Sequence, residues 1–202
     1  DQLVDALKNE ENGALCVMNT RRHARLIAEQ IPDALHFSSS MCPWHRLETI
    51  QEVKRRLEQG RCVLISTQAI ECGVDVSFPA VYRAIAPLEG IIQAAGRCNR
   101  ENELGRCGGR VIVFEPPDTE GAIHPPDSAY KDGINAMQTL LVADADPDLD
   151  RPELFEIYSE ELLKRADGYL DEKQILGEHT AHMRFSCITR KYRLIEDATT
   201  PV

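Results

Sequence analysis

Gln93-Ala94-Ala95-Gly96-Arg97-Cys98-Asn99-Arg100 places two arginines three residues apart, with a glutamine four before the first. Residues at i and i+3 on a helix share a face, so two guanidinium groups could converge on one anion. Guanidinium matches phosphate oxygens by bidentate geometry, and fixed positive charge suits a phosphoryl-transfer transition state. An isolated R-x-x-R is ordinarily a solvated pair, but this one follows the apolar Ile91-Ile92 in a low-charge segment.

A second segment runs Ile65-Ser66-Thr67-Gln68-Ala69-Ile70-Glu71-Cys72-Gly73-Val74-Asp75-Val76. A strand is expected to end in small hydroxyl residues, with one helical turn broken at Gly73. Asp75 then sits in a buried-looking Val-Asp-Val, where it needs a bonding partner such as a ribose hydroxyl or a basic side chain. A third segment, Val17-Met18-Asn19-Thr20-Arg21-Arg22, reads as a strand entering a capped helix. Its free N–H groups could meet a phosphate, although an ordinary N-cap is the commoner use of such residues.

The elements that must position these residues are legible from periodicity. Strands are expected at Ala14–Met18, Ala34–Phe37, Cys62–Ile65, Val81–Ala86 and Arg110–Phe114. Helices are expected at Arg21–Gln30, at Pro43–Gln59 with Gly60 ending it, and at Gly90–Arg97. Such alternation implies an α/β fold, a parallel sheet with helices on both faces. Ligands of such sheets collect at the carboxyl ends of the strands, where all three segments are expected to fall.

After Phe114 the composition shifts. Of 23 Lys+Arg and 33 Asp+Glu, residues 1–110 hold 14 of each, so the whole net charge of −10 lies in 111–202. Only the neutral half is a plausible surface for phosphates. Residues 116–202 are expected to form an acidic, mainly helical extension or linker packed on the core. It would have helices at Ser128–Val142 and Pro152–Ala166, with an acidic linker at 144–150. The seven cysteines never form C-x-x-C, which favours reduced thiols, with Cys16 and Cys62 in the core. No apolar run reaches membrane-spanning length, and no signal peptide is evident, so a cytoplasmic protein with no membrane partner is expected.

Taken in order, the three segments resemble motifs IV, V and VI of superfamily 2 helicases. Gln93, Gly96, Arg97 and Arg100 reproduce the motif VI form Q-x-x-G-R-x-x-R, and Ser66-Thr67 through Gly73-Val74-Asp75 match motif V. More narrowly, these motifs, Phe37 to Arg46 and the late Lys191 to Asp197 are similar to the CRISPR-associated helicase–nuclease of type I systems. The Asn in G-R-x-N-R sets that family apart from the commoner G-R-x-G-R helicases.

The resemblance implies a RecA-like second motor domain over 1–115. In it Arg97 and Arg100 would be arginine fingers, and Gln93 would meet the γ-phosphate or its attacking water. Asp75, beside Gly73, would reach the ATP ribose. Asn19, Thr20 and Thr67 would hold the backbone of single-stranded DNA. Implied partners are a first RecA-like domain with Walker motifs, which would hold Mg²⁺, a His-Asp nuclease domain and a guide-RNA surveillance complex. ATP is the implied cofactor.

The chain has no G-x-x-x-x-G-K-[ST] and no His-Asp dipeptide. Asp171-Glu172-Lys173-Gln174 follows motif VI instead of preceding it and reads as exposed helix charge. His179-x-x-His182 lacks a third ligand, so no metal site is expected. Two other readings are a degenerate motor domain kept as a docking module and a free-standing α/β enzyme. The latter has no phosphate loop to work with. As free fingers, both arginines are expected to stand exposed and unpaired at the sheet's carboxyl edge, with no carboxylate partner strong enough to neutralise them.

Overall fold

A computed structural model of the chain describes residues 2–71, 73–100, 102, 104–105, 108–116, 128–149, 151–165, 175 and 180–192. Asp171–Gln174, His179, Arg193–Asp197, Cys72 and Cys107 lie outside them, as does the 124–127 loop.

The order is α1 (Gln2–Asn9), β1 (Gly13–Met18), α2 (Arg21–Glu29), β2 (Leu35–Phe37), α3 (Pro43–Glu58), β3 (Cys62–Thr67) and a 3₁₀ turn (Gln68–Ile70). Then come β4 (Ala80–Ala84), α4 (Leu88–Ala95), β5 (Arg110–Phe114), α5 (Ser128–Ala143), α6 (Pro152–Arg165) and α7 (Phe185–Lys191). The strands form one sheet in the order β2-β3-β1-β4-β5, every pairing parallel. All five expected strands are present. Helix α1 was not anticipated from sequence; it forms because Val4 and Leu7, three apart, bury one stripe.

β1 and β3 are buried along their whole length, as central parallel strands must be when helices cover both faces. The two-residue period divides the core. Ala14, Cys16 and Met18 pack with Val4, Leu7 and Ala24 on one side. Leu15 and Val17 pack with Phe37, Val53, Ile70 and Phe78 on the other. Each such large apolar side chain contributes about 1.5–3 kcal/mol. Cys16 and Cys62 are buried free thiols, and burial pushes them up to about 12 and about 11 respectively.

Residues Asp1–Ser159 form one compact unit and Glu160–Val202 a second. The expected boundary at 115/116 is a break in composition, whereas the compact unit holding the sheet continues through α5. Ile134, Ala136 and Met137 of that helix are fully buried. Gly133 is required there: a Cβ on it would lie 2.8 Å from Pro87 Cγ and 2.9 Å from the Tyr158 hydroxyl. In the second unit α7 is short and presents no buried residue. No helix among the described residues is long and apolar enough to cross a membrane.

Candidate nucleotide and nucleic-acid interface

β1 lies between β3 and β4, so the chain leaves it in one direction and later returns on its other side. Parallel sheets open a crevice where strand order reverses, at the carboxyl ends. Asn19 occupies that point. Its register neighbours are set by Met18 beside Thr67 and Val17 beside Arg83.

Asn19 is buried and fully engaged. Its amide donates to the Ile85 carbonyl at 2.7 Å, and its Oδ1 accepts from Arg83 Nη1 at 2.6 Å and from the Tyr130 hydroxyl at 3.0 Å. The expectation that this side chain grips a phosphate therefore meets a side chain already committed inside the protein. Thr20 caps α2, its Oγ1 accepting from the His23 N–H at 3.2 Å. Thr67 is buried at the end of β3, and Ser66 beside it donates to the Phe37 carbonyl at 3.0 Å.

Sequence reasoning missed the centre of this network. Arg83 is 0% exposed, inside the apolar run Val81-Tyr82-Arg83-Ala84-Ile85. Its Nε lies 3.0 Å from Glu71 Oε1, in ionic contact though not aligned as a hydrogen bond. Burial pushes the Glu71 carboxyl above its ordinary range, with Arg83 pulling the other way. Gly90 in α4 leaves room for the guanidinium, since a Cβ there would lie 3.2 Å from Arg83 Nη2. The available signal was an arginine in an otherwise apolar central strand, which demands a buried carboxylate.

Val74 and Val76 are buried, but Asp75 between them is not: the alternation turns it outward, 70% exposed. It pairs with Arg100 Nη1 at 3.0 Å, and Arg100 is itself 42% exposed. Gly73 has φ +73° with open space where a Cβ would lie, so the backbone turn, not crowding, selects glycine.

The two arginines are not equivalent, and neither is unpartnered as expected. Arg97 is half-buried and donates to three main-chain carbonyls: Nη2 to Glu71 at 2.6 Å, Nε to Ile70 at 3.3 Å and Nη1 to Gly96 at 3.4 Å. Carbonyls left over at the end of the 3₁₀ turn attract it there. Arg100 has a carboxylate partner, Asp75. Gln93 is exposed one turn earlier on α4.

The position of the 96–100 turn also differs from expectation. Phe78 N–H donates to the Arg97 carbonyl at 2.8 Å, Asn99 N–H to the Phe78 carbonyl at 2.9 Å, and Arg100 N–H to Ser77 Oγ at 2.9 Å. This turn lies along the approach to the amino end of β4, while Asn19, Thr20 and Thr67 keep the carboxyl edge. Asn99 has φ +44°, and its side chain closes the following loop by donating to the Gly105 carbonyl and accepting from Leu104 N–H.

Residues 10–103 match the family described as CRISPR-associated nuclease/helicase Cas3, C-terminal. Among similar proteins, the Cas3 of Haloferax volcanii is 59% identical over 68 residues, 33% of this chain and 7% of that protein. The Cas3 of Methanothermobacter thermautotrophicus is 27% identical over 160 residues, 76% of this chain and 19% of that protein. The chain thus spans under a fifth of either Cas3 relative.

Two solved structures share the fold. T. fusca Cas3 with AMPPNP is 17% identical at a TM-score of 0.63, covering 93% of this chain and 25% of that one. A chain of a CRISPR RNA-guided surveillance complex described as pre-nicking is 19% identical at 0.58, covering 98% and 26%. The fold is therefore α/β, a RecA-like parallel sheet shared with these solved structures.

Proposed function

We propose that this chain is the second motor domain of an ATP-dependent superfamily 2 helicase that unwinds DNA in type I CRISPR interference. The observation that carries the reading is the exposed Arg100–Asp75 pair, which joins the motif VI turn to the motif V segment, with Gln93 exposed on α4. A guanidinium suits phosphate oxygens, a carboxylate suits ribose hydroxyls, and an exposed pair exchanges partners at little cost.

These residues fit an ATP shared with a first motor domain, which would hold its Mg²⁺. ATP supplies the free energy of phosphoanhydride hydrolysis. In this reading Arg100 supplies charge to the phosphates, Gln93 positions the attacking water, and Asp75 takes the ribose. Arg97 is a finger only after releasing part of its carbonyl set. The crystallised relative described with AMPPNP supports a nucleotide ligand. Thr20 and Thr67 at the carboxyl edge would contact single-stranded DNA, Asn19 acting from behind them. A His-Asp nuclease domain and a guide-RNA surveillance complex would be its other partners.

One observation favours a docking module instead: Arg97 is bonded to three carbonyls, as a structural arginine would be. Measuring turnover and melting temperature on the same Arg100→Ala variant of the full-length enzyme separates the two. Collapse of turnover alone supports the motor; unchanged turnover leaves the docking reading.

A further inference from the structure

The Tyr130 hydroxyl sits where three segments meet. It donates to Asn19 Oδ1 at 3.0 Å and lies 3.3 Å from Gln68 Nε2 and 3.4 Å from Arg83 Nη2, both of which can donate to it. Gln68 also reaches the Asn19 carbonyl at 3.3 Å. Asn19 follows β1, Gln68 follows β3, and Arg83 is the penultimate residue of β4, so one oxygen on α5 connects the exits of three adjacent strands. Thr20 and Thr67 are the immediate chain neighbours of Asn19 and Gln68.

We propose that Tyr130 is a positioning residue: its hydroxyl fixes the spacing of the Asn19–Thr20 and Thr67–Gln68 exits, and so the two backbone-contacting points on single-stranded DNA. The inference rests on the motor reading above. It gives a segment from the acidic half of the sequence an indirect part in strand grip, since Tyr130 never touches the strand. Packing alone would not ask for a hydroxyl here. The buried stripe of α5 is carried by Ile134, Met137 and Leu140, while Tyr130 is only partly buried. What its oxygen adds is hydrogen bonding to polar groups that belong to different strands. Hydrogen bonds that tie side chains of neighbouring strands to one oxygen favour one arrangement of those strand exits.

The test uses the full-length enzyme, an oligodeoxythymidine strand and three readouts: half-saturating strand concentration for ATP turnover, KM for ATP, and Tm. Tyr130→Phe deletes only the hydroxyl. The expected result is a half-saturating strand concentration raised about 3- to 10-fold, the loss of about one hydrogen bond, with ATP KM and Tm unmoved. Gln68→Ala should act similarly, and the double variant should be little worse than either, because both cut one link. Unchanged strand dependence overturns the proposal, as does a rise in both the half-saturating strand concentration and the ATP KM together with a fall in Tm, which marks a structural tyrosine. If the unaltered enzyme shows no strand-stimulated turnover, the motor reading itself falls and takes this one with it. A strand-stimulated enzyme indifferent to Tyr130→Phe loses the positioning role alone.

Discussion

The Arg97 guanidinium donates to the main-chain carbonyl of Glu71 across 2.6 Å, while the Glu71 side chain pairs with Arg83 at 3.0 Å. Glu71 thereby joins the 96–100 turn to the buried polar centre, through its backbone on one side and its carboxylate on the other. Arg97→Ala should therefore lower unfolding free energy by about 1–2 kcal/mol, discounted for partial exposure. Urea unfolding checks this, and Arg97→Lys should not restore it, since one ammonium cannot serve three diverging acceptors.

Arg100 should behave differently. Its ion pair is exposed, so Arg100→Ala should leave stability within about 0.5 kcal/mol. In the full-length enzyme, ATP turnover should drop by roughly 10³-fold or more, as loss of an arginine finger does. Steady-state turnover and Tm measured on one preparation decide it.

Asn99 offers a backbone prediction. With φ at +44°, Asn99→Ala should cost about 1–2 kcal/mol, whereas Asn99→Gly should cost less than about 1 kcal/mol despite losing two exposed hydrogen bonds. The G-R-x-N-R and G-R-x-G-R patterns then share one physical requirement, a left-handed residue two positions after the first arginine. Comparable thermal melts of the two variants would contradict this.

Glu71 should leave a signature in pH. Its folded-state pKa is raised above 4.5, so the folded protein holds a proton that the unfolded chain releases. Stability should fall as pH rises from about 4.5 through the folded value. Glu71→Gln should lack that slope, seen as differing urea midpoints across the window. Glu71→Ala, which strands Arg83, should cost about 3 kcal/mol or more.

The chain alone should show no steady ATP turnover above a contaminant control, because it contains no phosphate-cradling loop. Its grip on an oligodeoxythymidine strand should be weak and should fall further between about 50 and 200 mM salt. Fluorescence anisotropy of a labelled strand reads this directly.

The sheet was legible because central parallel strands bury both faces and so appear as unbroken apolar runs, Leu15-Cys16-Val17 and Val63-Leu64-Ile65 among them. Motif spacing located Asp75, Arg97 and Arg100, but not their bonds. The outward turn of Asp75 depends on φ at Gly73, and the anchoring of Arg97 depends on carbonyls 26 and 27 residues away. Arg83, Glu71 and Tyr130 stayed hidden because their pairing joins strand, turn and helix across 12 and 47 positions, distances at which periodicity carries no information.

The burial of α5 bears on where this domain can be cut. A version ended at Phe114, where the composition changes, would strip the cover from one end of the sheet and expose the surface that Ile134 and Met137 occupy. It would also take from Gln68 and Arg83 the oxygen they share. Such a truncation should come out of cells as insoluble material, so the shortest piece worth expressing runs through Ser159, the end of the compact unit, and keeps the buried Leu154 and Tyr158.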